Sequence, residues 1–247
     1  MTNKRLPLTW LFDLDNTLHD ASHAIFPAIH ANMNAYMARV LGKDGEPADA
    51  ATVDAARQMY WKRYGATLLG MVKHHQVREE DFLREAHRFD DLSKMIRAEV
   101  GLSHLLKRLP GRKILLTNAP HQYSSDVVRH LGLHRHFARH ISIESMYVHG
   151  QLRPKPSVAL LRKILMRERL AARRCVLVED TVANLRSAKR LGLRTAWVTR
   201  YLSKSRVEDR VGAPQPGLLK RPGFVDVKVN SVRGLAKNLH RFYAANS

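Results

Sequence analysis

Five short apolar runs read as buried strands: LTWLFDLD (residues 8–15), RKILLTNA (112–119), ARHISIES (138–145), RCVLVED (174–180) and RTAWVT (194–199). Most are apolar on consecutive positions and all are too short for a helix, as expected of strands covered on both faces. From the second run onward, helical spacing fills the gaps. Residues 124–131 predict a short helix, and residues 157–170 place Val158, Leu161, Ile164 and Leu165 on one face. Residues 182–191 do the same with Leu185, Ala188 and Leu191, and Gly192 follows as a stop. Such alternation predicts an α/β fold built on a parallel sheet. After an exposed loop expected at residues 204–223, FVDVKVN (224–230) reads as a last strand and residues 231–243 as a basic helix.

The interval between the first two strands breaks the rhythm. Ile25, Ile29, Met33, Tyr36, Met37 and Val40 recur at helical spacing until GKDGEP ends the pattern. Further helices are expected from about Asp49 into the 60s, over residues 79–89 and over residues 92–109. A crossover between neighbouring strands needs far fewer residues. The pattern therefore predicts two domains: a Rossmann-like core from residues 1–20 and 110–247, and a helical cap from residues 21–109 inserted after the first strand. Such an insert is expected to pack over the carboxyl end of the sheet, where open α/β folds bind ligands.

Composition narrows the partners. The chain has 247 residues and a net charge of +20, which favours anions without choosing between small phosphorylated molecules and nucleic acid. One cysteine excludes an internal disulfide framework and fits a reducing compartment. The apolar stretch after Lys4 and Arg5 stops at Asp13 without a small-residue cleavage site, and no segment is apolar enough to span a bilayer. A soluble, cytoplasmic protein is the expectation.

The strand ends carry the chemistry. The first delivers Asp13 and Asp15, the second Thr117 and Asn118, and the fourth Glu179 and Asp180; Lys155 follows the third, between two prolines in LRPKPS. In a parallel sheet these ends share one edge. Four carboxylates converging there need a counter-charge, and Mg²⁺ favours such oxygen ligands. Asp13 can then attack phosphorus to give an aspartyl-phosphate, with Lys155 and the metal offsetting charge. Asp15 can protonate the leaving oxygen and later deprotonate water. Thr117 is placed to hydrogen-bond a phosphoryl oxygen.

These residues, DLDNT with Thr117, Lys155 and the ED at 179–180, resemble the four motifs of the haloacid dehalogenase superfamily of aspartate-nucleophile phosphatases. The resemblance spans about residues 8–200. It implies Asp13 as nucleophile, Asp15 as acid/base, and Thr117 and Lys155 as phosphoryl contacts. It also implies Mg²⁺ held by Asp13, the Asp15 main-chain carbonyl and Asp180, with Glu179 assisting. Dehalogenating members lack an acid at the position of Asp15. YWKRYGATLLGMV, LLTNAPHQYSSDVVRHLGL and VEDTVANL are similar to pyrimidine 5′-nucleotidase-like members, which implies a nucleoside 5′-monophosphate as substrate. Substrate contacts are then expected from Thr117, Asn118 and Lys155, together with His19, which departs from an expected Tyr at a position facing the cap, and Tyr64.

Blander readings compete at each position. Asp13 and Asp15 alone could be a capping pair, Thr117 could satisfy backbone, and Glu179–Asp180 could cap the next helix. His130, His134, His136 and His140 read as solvated surface rather than a zinc site, as do His74 and His75. Cys175 opens a core strand and reads as a small hydrophobe. Tyr60, Trp61, Arg63 and Tyr64 could stack on a base or pack the insert. Two rivals remain for function: a small-metabolite or sugar-phosphate phosphatase or mutase with the same core residues, and a basic nucleic-acid-binding protein on a retired scaffold. The complete acidic set argues against the second, because a binder of polyanions gains nothing from four carboxylates.

Overall fold

The computed structural model describes residues 7–202 and 220–243, so nearly all of the loop expected at 204–223 lies outside the described residues. The chain runs β1 (Thr9–Phe12), α1 (Ile25–Leu41), α2 (Ala50–Tyr64), α3 (Thr67–His75), α4 (Glu79–Ala86), α5 (Leu92–Met95), α6 (Leu102–Arg108), β2 (Arg112–Leu116), α7 (His121–His130) and β3 (Arg139–Ile141). It continues through β4 (Tyr147–Val148), β5 (Gln151–Leu152), α8 (Val158–Arg167), β6 (Cys175–Glu179), α9 (Val182–Arg190), β7 (Arg194–Val198), β8 (Val227–Val229), α10 (Gly234–Lys237) and α11 (Leu239–Tyr243).

Two compact units emerge. Among the described residues the first comprises 7–20, 97–202 and 220–243, and the second comprises 21–96. Residues 97–109, assigned to the insert from their helical spacing, therefore fold with the first unit. The helix expected over 92–109 is interrupted. Asp20 N–H donates to Arg97 O at 2.7 Å, Arg200 meets the Glu99 carboxylate at 2.9 Å, and Gly101 turns left-handed (φ 83°) just before α6. These tertiary contacts hold residues 96–101 out of helix although their apolar spacing continues.

In the first unit, six parallel strands are ordered β3-β2-β1-β6-β7-β8. Every residue of β1 and β6 is buried, which consecutive apolar side chains allow only when both faces of the sheet are covered. Trp10 anchors the centre: its indole N–H donates to Pro110 O at 2.8 Å, and Phe242 of α11 packs edge-on against it at 5.4 Å. The expected α/β architecture, with a Rossmann-like parallel sheet and a helical insert after the first strand, is the one observed. The basic terminal helix divides into α10 and α11. The antiparallel β4–β5 pair, unanticipated, closes on His149 and Gly150, both at positive φ (50° and 73°).

In the second unit, Asp49 caps α2 by accepting Thr52 N–H at 2.7 Å, and Gly65 ends it in the left-handed region. The helix α3 that follows had no counterpart in the periodicity. Among the described residues no helix is long and apolar enough to cross a membrane.

Candidate active site

Strand order decides which side chains meet. β1 lies between β2 and β6, with Phe12 level with Leu115 and Val178. The chain leaves all three strands at one edge, so Asp13, Thr117 and the Glu179–Asp180 pair emerge on adjacent strands. Asp13 N–H still pairs with Val178 O at 3.0 Å before the chain turns. Asn16 then adopts a left-handed conformation (φ 58°), which Asn tolerates better than most side chains, and Leu18 N–H closes the turn on Leu14 O at 2.8 Å. This turn brings the Thr17 hydroxyl to Asp13 Oδ2 at 3.0 Å.

Lys155 bridges the acids. Its Nζ donates to Asp13 Oδ1 at 2.7 Å and to Glu179 Oε1 at 2.8 Å, with the side chain only 2% exposed. Asn118 fixes the backbone beneath it, because Lys155 N–H donates to Asn118 Oδ1 at 2.9 Å and Asn118 Nδ2 donates back to Lys155 O at 3.0 Å. Both ends of the Asn118 amide are thus engaged on the lysine main chain, where sequence reasoning expected a substrate contact. Glu179 also accepts from Asn184 Nδ2, and its Oε2 takes Thr181 N–H at 2.7 Å just before α9. Trp197 Nε1 donates to the Asp180 carbonyl at 2.9 Å.

Asp13, Glu179 and Asp180 are all buried, and each offers a carboxylate oxygen within 4.8 Å of the others. Three carboxylates thus face one ammonium. Burial pushes Asp13 up to about 7, Glu179 adds to that, and Lys155 pulls it back. Burial works against the Lys155 charge, but Asp13 and Glu179 outweigh it and hold the ammonium above its ordinary range. An oxygen-only donor set with surplus negative charge fits a hard divalent cation, which would supply the missing positive charge.

Asp15 is held separately. Its Oδ1 accepts the Tyr123 hydroxyl at 2.6 Å and meets His19 Nε2 at 2.8 Å. His19, for which a substrate contact was expected, is fully buried with its Nε2 on Asp15. Tyr123 is held well above the usual phenol range, first by burial and then by Asp15. Thr117 is buried at the shared edge, its N–H on Ile141 O at 3.0 Å and its hydroxyl oxygen accepting Ala119 N–H at 3.1 Å.

The remaining candidates separate from this cluster. Tyr64 belongs to the helical unit, where its hydroxyl meets His74 Nε2 at 2.6 Å. Within that unit Tyr60 is buried, whereas Trp61 is 45% exposed. His140 and His136 pair with the hydroxyls of Ser124 and Ser103, at 2.8 and 2.7 Å. Among the described residues neither joins a metal-ligating group. Burial pushes the Cys175 thiol up to about 12, in keeping with a core residue. Sequence reasoning missed Thr17, Tyr123, Asn184 and Trp197. Only their places just after or within readable strands and turns could have drawn attention to them.

The chain thus combines a parallel sheet carrying a lysine-bridged carboxylate cluster at its carboxyl edge with a helical insert after the first strand. Residues 9–192 match the family model of haloacid dehalogenase-like hydrolases, and the chain belongs to that family. It is 28% identical over 215 residues to a 5′-nucleotidase of Pseudomonas aeruginosa, covering 83% of this chain and 87% of the relative. A HAD phosphatase from Thermococcus onnurineus aligns with a TM-score of 0.59 at 14% identity, over 94% of this chain and 97% of the other. A 2-haloacid dehalogenase from Pseudomonas syringae pv. Tomato gives 0.56 at 18% identity, over 96% and 100%. One of these structures is a phosphatase and the other a dehalogenase, so the shared fold does not choose the reaction.

Proposed function

We propose that the chain is a Mg²⁺-dependent phosphomonoester hydrolase that works through an aspartyl-phosphate on Asp13 and acts on nucleoside 5′-monophosphates, pyrimidines preferred. The observation that carries this reading is Lys155 Nζ lying between Asp13 and Glu179, with Asp180 beside them and Asp15 held apart on its own donors.

An Asp13 carboxylate oxygen attacks phosphorus as the bond to the leaving oxygen breaks, and the Asp15 carboxyl passes its proton to that oxygen. Asp15, now a carboxylate, takes a proton from water. The water oxygen attacks phosphorus, the bond to Asp13 breaks, and phosphate leaves with both aspartates restored. Lys155 offsets the negative charge that Asp13 and the phosphoryl group bring together, and the Thr117 hydroxyl donates to a phosphoryl oxygen. Mg²⁺ held by Asp13, the Asp15 carbonyl and Asp180, with Glu179 assisting, would supply the remaining positive charge. Asp15 also favours phosphoryl transfer over dehalogenation, which needs no acid there. Support for a nucleotide substrate comes from the likeness to the Pseudomonas aeruginosa 5′-nucleotidase and from the sequence stretches similar to pyrimidine nucleotidases.

The test is phosphate release from a panel of nucleotides and sugar phosphates, in Mg²⁺ and in EDTA. Wild type should release phosphate in Mg²⁺ only, fastest from pyrimidine 5′-monophosphates. Asp13→Asn should fall by roughly 10³-fold or more, as expected when a nucleophile is removed. Equal rates for the two proteins on every substrate would overturn the hydrolase reading. A decisive preference for sugar phosphates would overturn only the nucleotide assignment.

A further inference from the structure

We infer that Tyr123 and His19 are positioning residues that lock the Asp15 carboxylate in one orientation for proton transfer; this rests on the reading of Asp15 as the acid/base. Asp15 sits beyond the end of β1, in a turn. Two donors from different elements converge on the same oxygen: Tyr123 Oη from the first turn of α7 at 2.6 Å, and His19 Nε2 from four residues downstream at 2.8 Å. Two bonds to Oδ1 fix both the direction of that oxygen and the plane of the carboxylate. Removing either bond loosens that hold on the carboxylate. Proton transfer demands that alignment, because the donor must lie within hydrogen-bond reach of the oxygen it serves.

Burial separates this from incidental contact. Tyr123 is 3% exposed and His19 0%. The His19 Nδ1 is buried with no hydrogen-bond partner among the described residues. A buried polar atom left so is costly, and an apolar side chain would fill the same volume without that cost. What the imidazole provides and an apolar residue cannot is the contact with Asp15. A tyrosine with its ring in the core follows the same logic, since phenylalanine would pack equally well but offer no hydroxyl.

Leaving-group chemistry tests the inference. General acid help matters for a poor leaving group, such as a nucleoside 5′-oxygen, and little for p-nitrophenolate. Tyr123→Phe and His19→Leu should each lower kcat/KM for a nucleoside 5′-monophosphate by roughly 10–100-fold, part of the 10²–10⁴ that general acid catalysis supplies. On p-nitrophenyl phosphate, kcat/KM should change less than about 3-fold by the same principle. His19→Gln, which keeps a donor, should recover part of the loss. In an Asp15→Asn background Tyr123→Phe should have no further effect, because its action passes through the missing carboxylate. Equal losses on both substrates, or undiminished additive loss in the Asp15→Asn background, would mark a structural role and overturn the inference. So would full activity of Tyr123→Phe, a variant that keeps the ring and so guards against simple misfolding. A wild-type protein inert towards both substrates would instead sink the hydrolase reading, and the inference with it.

Discussion

Lys155 holds the candidate site together as much as it serves it. One ammonium, 2% exposed, satisfies a carboxylate oxygen on each of Asp13 and Glu179. Breaking a buried pair by removing one partner costs more than the pair itself contributes, because the other charge stays buried and unpaired. Lys155→Met keeps most of the side-chain stem and removes the ammonium, with its charge and its N–H donors. It should lower unfolding stability in EDTA by about 3–5 kcal/mol. Adding Asp13→Asn should restore part of the loss, since the two positions share one network. Urea denaturation of the three proteins measures both effects, and a Lys155→Met protein as stable as wild type would refute the argument. At this scale the sequence was readable where chemistry sits on strand ends: Asp13, Asp15, Lys155, Glu179 and Asp180 could be placed because parallel strands deliver their ends to one edge. Tyr123, Asn184 and Thr17 were not: they are ordinary residue types, and the partner of Tyr123 lies 108 residues away, while Thr17 and Asn184 reach theirs only through the local turn after each strand. Asn118 and His19 were noticed, but their internal partners, the Lys155 main chain and Asp15, were not legible in one dimension.

Elements were legible in proportion to how far their own residues decide them. The buried strands of the parallel sheet announced themselves by consecutive apolar residues, since both faces of each are covered. Helices decided by distant contacts did not. The pattern over residues 92–109 continues through 96–101, yet Asp20, Arg200 and Gly101 shape that stretch as non-helical chain. α3 was hidden because Gly70 dilutes its helical signal, and the structure supplies the reason for that glycine. A Cβ on Gly70 would lie 2.1 Å from Cγ of Tyr60, within the ring that α2 packs against α3. Two effects of Gly70→Ala then oppose each other. Removing a mid-helix glycine favours folding by roughly 0.5–1 kcal/mol. Displacing a buried ring whose hydroxyl meets His75 Nε2 at 2.5 Å costs about 1–3 kcal/mol. The clash should win, so Gly70→Ala should lower the melting temperature and speed proteolysis within residues 50–75. A rise in melting temperature would show that α2 and α3 pack less closely than this.

Across the whole molecule, 42 basic residues outnumber 22 acidic ones, giving a net charge of +20. The long-range field therefore draws anions in, while Asp13, Glu179 and Asp180 form a buried acidic point that would repel a phosphate at close range. A cation in the cluster reconciles the two, converting the last step of approach from repulsion to attraction without altering the field at a distance. The same cation should act on folding. A ligand that binds the folded chain alone stabilises it by RT ln(1 + [L]/Kd), about 2.7 kcal/mol at a concentration 100 times Kd. Mg²⁺ should therefore raise the melting temperature of wild type above its value in EDTA, and NaCl at matched ionic strength should not. Asp180→Asn removes a charge from the cluster, so in EDTA it should be at least as stable as wild type, yet gain little from Mg²⁺. An equal Mg²⁺ shift in both proteins would place the bound cation away from these carboxylates, and the charge argument for the site would fail with it.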